Sequence, residues 1–148
     1  MADIRHRVGI AVPPEEVYAA LATVEGLSTW WTRDVDGDPS SGGKLSFRFG
    51  GPDTGAVMEV VAAEPERHVG WRCVAGPEEW LGTEITFDLT SSGAMTIILF
   101  THAGWREAVE LFHHCSTRWA YFLFSLKAQL EKGEGTPWPD DEKIDDWG

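Results

Sequence analysis

The hydrophobic periodicity of the chain changes once, from two residues to 3.6, and this change constrains the fold most. Between residues 44 and 102, apolar and polar side chains alternate in short runs separated by turn sequences, which is typical of half-buried strands. From residue 105 to about residue 131, apolar residues recur at helical spacing, which predicts one long amphipathic helix. Because short turns require antiparallel pairing, we expect an α+β domain in which this helix covers one face of a sheet.

The predicted elements follow the order strand, two short helices, further strands and one long helix. Proline and acidic residues at 13–16 begin a short helix that we expect to end at Gly26, and residues 27–31 predict a second brief helix. A turn at residues 50–53 separates two of the strands. The last strand is apolar on both faces, so we expect it to lie centrally. The predicted strands are residues 3–11, 44–49, 55–63, 68–74, 82–90 and 94–102.

The net charge of −12 limits the macromolecular partners of the chain. Nucleic acids and anionic membrane surfaces bind clustered Lys and Arg, so we expect neither as a partner. Acidic residues concentrate in residues 134–148, which we interpret as an acidic tail after a folded domain of residues 1–133. The main interpretation is a solvated tail that maintains solubility. The alternative is a partner-binding tail with Trp138 and Trp147 as anchors.

The cysteine content and the N-terminal sequence indicate the cellular compartment in which the protein is located. Cys73 and Cys115 show no CxxC spacing and no disulfide framework, so we expect free, buried thiols. The first ten residues contain no apolar signal region, and no apolar run reaches membrane-spanning length. We therefore expect a reducing, cytoplasmic location and no insertion into a membrane.

Large side chains on the predicted inward faces are the candidates for a ligand pocket. Each is a core residue by default, but eight Trp and seven Phe in 148 residues suit a broad interior with a lined cavity. The predicted lining is Trp30, Trp31, Phe47, Phe49, Met58, Trp71, Phe87, Phe100, His102, Phe112, Cys115, Trp119 and Phe122. Polar groups that could orient a ligand there are His6, Thr83, His102 and Cys115.

His102 has three alternative roles. The inward register of the last strand places it at the inner end of that strand, and antiparallel pairing with the first strand would bring His6 within a few residues on the same face. Two inward histidines could contact a ligand or act as acid and base near neutral pH. The structural alternative is that His102 hydrogen-bonds the turn between the last strand and the long helix.

The sequence His113-His114-Cys115 has the composition of a metal cluster but not its geometry. Adjacent helical residues point about 100° apart, so these side chains cannot converge on one ion. We therefore expect neither a metal nor another cofactor. The sequence also contains no phosphate loop, GxSxG or HExxH motif, which weakens the case for an enzyme without removing it.

Three stretches of the sequence together resemble a known family. They are Val12-Pro13-Pro14-Glu15-Glu16-Val17-Tyr18 with Trp30-Trp31 shortly after, His102-Ala103-Gly104-Trp105, and the helical residues Cys115, Trp119, Leu123, Leu126-Lys127, Leu130-Glu131 and Gly133. The chain resembles the bacterial branch of the START-like helix-grip (SRPBCC) superfamily that is similar to the C-terminal domain of the activator of the ninety-kilodalton heat-shock chaperone ATPase. The order of elements matches over about residues 3–133.

The resemblance implies a helix-grip fold, which is an incomplete antiparallel barrel, usually of seven strands, with a hydrophobic cavity under the long helix. The patterns predict six strands, so the resemblance adds a short strand near residues 32–38. The superfamily includes lipid and hormone binders, polyketide cyclases and many members of unknown function. The resemblance therefore implies a fold and a pocket but no single activity.

Three functional hypotheses remain. The favoured one is binding of a hydrophobic small molecule, such as a lipid or polyketide-like compound, between the sheet and the long helix. The second is a co-chaperone-like protein-interaction module, which predicts an exposed apolar patch at the loop around Trp80 or at the tail. The third is a cyclase, lyase or hydrolase that uses the same pocket, which predicts a strongly shifted pKa at His102 or His6.

Overall fold

The long C-terminal helix packs against a sheet of seven antiparallel strands. A computed structural model describes residues 1–51 and 53–148, so Pro52 of the predicted turn lies outside the described residues. The strands are β1 (Ala2–Ile10), β2 (Asp34–Gly37), β3 (Lys44–Arg48), β4 (Gly55–Glu64), β5 (His68–Ala75), β6 (Glu84–Ser92) and β7 (Met95–Trp105). The helices are α1 (Pro14–Ala22), α2 (Val24–Ser28) and α3 (Glu110–Lys132), with a single 3-10 turn at Glu78–Trp80.

The strand order confirms the predicted architecture. The strands lie side by side as β1-β7-β6-β5-β4-β3-β2, so the last strand lies between β1 and β6, away from both edges. The added short strand is present as β2, at one edge of the sheet. The register also places Ile4 opposite His102 and His6 opposite Phe100, which confirms the expected pairing of the first strand with the last.

The boundary between the two short helices differs from the sequence prediction. The first helix ends at Ala22, and the second comprises Val24–Ser28 instead of residues 27–31. Thr23 separates them in an extended conformation, and its hydroxyl oxygen accepts a hydrogen bond from the Gly26 N–H at 3.0 Å, which caps a new helix. A Cβ on Gly26 would lie 2.4 Å from the carbonyl oxygen of Ala19 in α1, so this glycine permits close packing of α2 against α1 and terminates no helix.

The long helix begins at Glu110, later than the predicted residue 105. The chain remains in β7 up to Trp105, which lies opposite Ala2, and Gly104 donates a backbone hydrogen bond to the Asp3 carboxylate at 3.1 Å. The predicted end is confirmed, because Gly133 forms a left-handed cap at φ 79°. Among the described residues, no helix is long and apolar enough to span a membrane.

The acidic segment after α3 packs against the rest of the protein. The Thr136 N–H donates to the Ser125 hydroxyl at 2.8 Å. Trp138 exchanges main-chain hydrogen bonds with the α2–β2 connection, donating to the Trp31 carbonyl at 2.9 Å and accepting from the Arg33 N–H at 3.0 Å. Part of the backbone of this segment is therefore paired with the fold, whereas many of its acidic side chains are exposed, and the division into a domain of residues 1–133 and a tail stays a prediction. A count of charges could not reveal that its backbone groups find partners inside the fold.

Candidate functional site

Aromatic rings fill the centre of the interface between the sheet and α3. Trp30, Trp71, Phe87 and Phe100 are each at most 1% exposed. The Phe87 ring lies 5.2 Å from Trp71, 5.3 Å from Phe100 and 6.2 Å from Trp30, measured between ring centroids. The Trp30 indole N–H also donates to the Ala20 carbonyl at 2.9 Å. We call this group the packed centre.

A cavity of about 850 Å³ lies at one end of the sheet, under the first turns of α3. Its volume is within the range of small-molecule sites in proteins. The walls come from β3, the start of β4, the end of β5, the 3-10 turn, α3 and the C-terminal segment. Its aromatic lining is Trp31, Phe47, Phe49, Trp80, Trp119, Phe122 and Trp147, and its ionisable lining is Arg48, Asp53, His114, Cys115 and Arg118.

Only part of the predicted lining meets at this cavity. The residues that line it are Trp31, Phe47, Phe49, Cys115, Trp119 and Phe122. The predicted residues that lie elsewhere, most of them in the packed centre, are Trp30, Met58, Trp71, Phe87, Phe100, His102 and Phe112. The sequence pattern identifies inward faces, but it does not show where along the sheet the inward side chains leave space. Binding by any of these residues stays a prediction.

Trp31 forms the boundary between the packed centre and the cavity. It is 3% exposed, and its ring centroid lies 5.9 Å from that of Trp71 on one side. It also lies 4.3 Å from Phe47 and 4.9 Å from Trp119, both of which line the cavity. The cavity therefore has a rigid aromatic inner wall, since Trp31 is packed on several sides.

Both ring nitrogens of His102 bind partners inside the protein. Nδ1 accepts from the Trp119 indole N–H at 3.1 Å, so the proton of the neutral ring is on Nε2, which lies 2.8 Å from the Thr83 hydroxyl. That hydroxyl donates in turn to the Trp80 carbonyl at 2.6 Å. Burial lowers the pKa of His102 to about 3, so the ring is neutral at physiological pH and a weak proton acceptor. The contacts of His102 are thus structural, but they join β7 to α3 and to the loop before β6 instead of bonding the turn between the last strand and the long helix.

His6 lies near His102 along the sheet but has separate partners. Its Nε2 is 3.1 Å from the Ser116 carbonyl oxygen, and its ring stacks on Phe100 at 6.1 Å. Neither His6 nor Thr83 lines the cavity. Of the four polar candidates that the sequence suggested, only Cys115 is part of the cavity wall.

The two thiols are buried and free. Burial raises the pKa of Cys73 and of Cys115 to about 11, so both are protonated and poorly nucleophilic at neutral pH. Near Cys115, His113 is exposed, whereas His114 Nδ1 lies 2.7 Å from an Asp145 carboxylate oxygen. Within the described residues, no three His, Cys, Asp or Glu side chains are grouped so that they could hold a metal ion.

Trp80 contributes to the cavity although its loop was a candidate for an exposed apolar patch. Its ring is half-buried, stacks on Trp119 at 6.3 Å and meets His102 edge-on at 5.0 Å. The buried indole N–H makes no hydrogen bond of ordinary geometry with any described residue. The Cys115 sulfur lies beside it but is a weak acceptor. The wall of the cavity therefore contains a donor without a strong acceptor.

Sequence reasoning also missed Arg118 and Trp147. Arg118 follows Cys115 by three residues and precedes Phe122 by four, so its helical position borders the apolar stripe and gives the available signal. Its guanidinium lies 4.6 Å from the centroid of the Phe122 ring and 2.6 Å from an Asp141 oxygen. Trp147 was considered only as an anchor for a partner. Its contact with His114, at 5.5 Å between ring centroids, depends on the path of the tail.

Comparisons with known proteins agree with this fold. The family model described as Activator of Hsp90 ATPase homolog 1-like protein matches residues 11–131. The solution structure of the Aha1 dimer from Colwellia psychrerythraea shares 43% sequence identity, covers 91% of this chain and 100% of its own, and superposes with a TM-score of 0.83. No curated protein sequence matches the chain.

More distant structures share the fold alone. Protein SSP2350 from Staphylococcus saprophyticus has 21% identity, a TM-score of 0.75, and coverage of 90% of this chain and 95% of its own. CalU16 from Micromonospora echinospora has 20% identity, a TM-score of 0.78, and coverage of 97% and 75%. The family model and the Colwellia structure carry the assignment, and the chain belongs to the family of Activator of Hsp90 ATPase homolog 1-like proteins.

Proposed function

We propose that this protein binds an apolar, ring-containing small molecule in the cavity under the first turns of α3. The observation that carries the proposal is a cavity of about 850 Å³ with seven aromatic side chains in its wall. Flat rings stack on such walls and bury apolar surface at low entropic cost.

The proposed role is binding without a catalytic step by His102. That ring has both nitrogens engaged and is absent from the cavity wall. The thiol of Cys115, which does line the cavity, is protonated at neutral pH because burial raises its pKa to about 11. The pKa of His102 is strongly shifted, as the cyclase, lyase or hydrolase hypothesis predicted, but the shift is downward and the ring lies outside the cavity wall. These facts support binding, because such reactions need a group that exchanges protons at the ligand.

A thermal-shift screen of hydrophobic metabolites, aromatic polyketides and lipids tests the proposal, together with native mass spectrometry of the purified protein. A ligand that binds the folded state raises Tm with a saturable dose dependence, since the stabilisation grows as RT ln(1 + [L]/Kd). A co-purifying apolar molecule would give the same support. If no compound in the screen shifts Tm and the protein is isolated empty, the proposal is rejected.

A matched pair of variants locates the binding. Leu111→Trp adds an indole at a cavity-lining position, whereas Leu99→Trp makes the same change at a 48% exposed position on the strand β7, outside the cavity. We expect Leu111→Trp to raise the Kd of the tightest-binding ligand from the screen at least tenfold, and Leu99→Trp to change that Kd by less than twofold. Equal effects of both variants would place the binding elsewhere.

A second candidate function is a protein interaction with an Hsp90-type chaperone. It is supported by family membership and by Phe124, which is 61% exposed on α3, since an exposed aromatic side chain is a usual anchor for a protein partner. The test is the ATPase rate of a bacterial Hsp90 with and without the protein. Stimulation that Phe124→Ser abolishes and Leu99→Ser retains would support this candidate, and an unchanged rate would reject it.

A further inference from the structure

Arg118 is a largely buried cation in the wall of an aromatic cavity. Its side chain is 18% exposed, and its guanidinium lies 4.6 Å from the centroid of the Phe122 ring. Its ionic partner is Asp141, whose side chain is 8% exposed and whose carboxylate oxygen lies 2.6 Å from Nη1. A buried cation is costly without a counterion, so the chain supplies its own carboxylate at this point.

We propose that the ligand of the cavity is an aromatic or apolar carboxylic acid, and that its carboxylate replaces Asp141 on Arg118. This inference rests on the proposed function and adds the chemical class of the ligand. The Asp141 carboxylate shows that such a group fits against Arg118. The planar guanidinium matches a carboxylate well, and the rings beside it accommodate the apolar body of the same molecule.

The second arginine of the cavity is less available. Arg48 lies 3.1 Å from an Asp34 oxygen and 2.6 Å from an Asp36 oxygen. Both acids belong to β2, which pairs with the strand β3 that contains Arg48. Freeing Arg48 would leave two fixed carboxylates beside the ligand, whereas freeing Arg118 requires movement of one segment at the end of the described chain.

The segment of residues 141–148 is held mainly by side chains of α3. Besides the Arg118 pair, Asp145 lies 2.7 Å from His114 Nδ1, and the Glu142 N–H donates to the Tyr121 hydroxyl at 2.8 Å. Arg118 also donates to the main-chain oxygen of Gly148 at 3.2 Å. The preceding Trp138 is fixed by main-chain hydrogen bonds to residues 31 and 33. The segment of residues 141–148 can thus move away from α3 without disturbing the sheet.

The overall charge does not oppose this proposal at short range. The net charge of −12 repels anions at a distance, but salt screens exposed charges beyond about 8 Å. Asp53 also lines the cavity and will disfavour an anion close to it. Binding is an exchange of one carboxylate for another at Arg118, so the charge beside the guanidinium is unchanged when Asp141 leaves.

Two probes that differ in charge test the inference. Titration of the full chain at pH 7.5 uses 1-pyrenebutanoate and 1-pyrenebutanol, with energy transfer from tryptophan to pyrene as the signal. We expect wild-type protein to prefer the acid. Arg118→Gln should raise the Kd of the acid at least tenfold. Asp141→Asn should lower that Kd about tenfold, because it removes the carboxylate that competes with the acid for Arg118. Both variants should change the Kd of the alcohol by less than threefold.

The pair Arg33 and Asp140 supplies matched controls. It also ties the C-terminal segment to the domain, with Nε at 3.0 Å from Oδ2, but neither residue lines the cavity. Arg33→Gln and Asp140→Asn should leave the affinity for both probes within twofold. Arg118→Lys keeps the positive charge but loses the planar guanidinium, so it should lower the affinity for the acid less than Arg118→Gln does. If Arg118→Gln does not fold, Arg118→Lys is used in its place.

The outcomes separate this inference from the proposed function. If the acid and the alcohol bind equally well and respond alike to Arg118→Gln and Arg118→Lys, the cavity binds ligands but the inference is wrong. If Asp141→Asn and Asp140→Asn both raise the affinity for the acid and for the alcohol, the C-terminal segment only blocks the cavity sterically. The inference is then also wrong. If neither probe binds wild-type protein or the Asp141→Asn variant, and the metabolite screen is negative, the proposed function itself fails.

Discussion

The packed centre and the cavity are both surrounded by aromatic side chains, but these side chains fill the packed centre and leave open space in the cavity. In the packed centre, the Trp30 indole N–H has a carbonyl acceptor at 2.9 Å. At the cavity, the Trp80 indole N–H has no strong acceptor among the described residues, and Arg118 relies on a carboxylate from the C-terminal segment. An unsatisfied indole N–H does not by itself distinguish the cavity, because the buried Trp105 also has one outside the cavity wall. The open space and the borrowed counterion at Arg118 are what mark a site.

The difference between the two regions originates in the lengths of the surrounding elements. The packed centre is built on β5, β6 and β7, which contain 8, 9 and 11 residues, and α1 approaches β5 and β6 there. The cavity borders β3, which has five residues and pairs with the four-residue edge strand β2. Short strands at one edge of the sheet supply too few side chains to fill the space under α3.

Truncation of one phenylalanine in each region should produce the largest contrast. Phe87→Ala in the packed centre should lower the free energy of unfolding by about 3–5 kcal/mol, because a fully buried ring leaves a void. Phe49→Ala should cost about 1 kcal/mol or less, because Phe49 is half-buried and already borders empty space. Urea unfolding measures both values. Equal losses would mean that the cavity is as tightly packed as the centre.

The pH dependence of stability should isolate the buried histidine. The folded pKa of about 3 for His102 lies below its unfolded value, so the unfolded chain binds the proton more readily between these values. Stability should therefore fall as pH drops below about 6.5, with a loss of about 2 kcal/mol by pH 5. Urea unfolding at pH 7.5 and pH 5.0 measures this loss.

Two histidine variants assign that pH dependence. His102→Gln lowers stability at neutral pH but should remove most of the loss between pH 7.5 and pH 5.0. His113→Gln changes an exposed histidine on α3 and should retain the wild-type loss. A His102→Gln variant with the full wild-type loss would show that another group is responsible.

Loss of one buried hydroxyl should have an intermediate effect. Ser125 donates to the Trp30 carbonyl at 2.8 Å and accepts from the Thr136 N–H at 2.8 Å, so it links the packed centre to the start of the C-terminal segment. Ser125→Ala should cost about 1–2 kcal/mol in unfolding free energy because two backbone groups lose their partner. The exposed Thr117, whose hydroxyl makes only a 3.4 Å contact, provides a control, and Thr117→Ala should change stability by less than about 0.5 kcal/mol.

The contrast between the two regions also shows how far the sequence could predict the molecule. Alternation and helical spacing identified the sheet, the long helix and its buried face, which includes Cys115, Trp119 and Phe122. These features depend on local periodicity, which every residue of an element repeats. The ends of the elements were less predictable, since Thr23 and Gly104 act through single hydrogen bonds to Gly26 and Asp3.

The position of the cavity could not be predicted, because it depends on distances between elements. Phe87 and Phe47 have the same pattern of neighbours in the sequence, yet only Phe47 lines the cavity. The contribution of the C-terminal segment was hidden for another reason. Its many acids suggested solvent, and only the folded geometry shows that Asp141 and Asp145 meet Arg118 and His114.

Removal of one ring from the C-terminal segment should alter access to the cavity more than stability. Trp147 is 52% exposed, yet it lines the cavity and lies against His114. Trp147→Ala should change the free energy of unfolding by less than about 0.5 kcal/mol, as expected for a mostly exposed side chain. Stopped-flow mixing with the neutral probe 1-pyrenebutanol should show a faster association, because the ring no longer narrows the entrance. Phe124→Ala, an exposed aromatic change elsewhere on the surface, should leave that rate unaltered. An unchanged rate for Trp147→Ala would mean that this ring does not limit the entry of ligands.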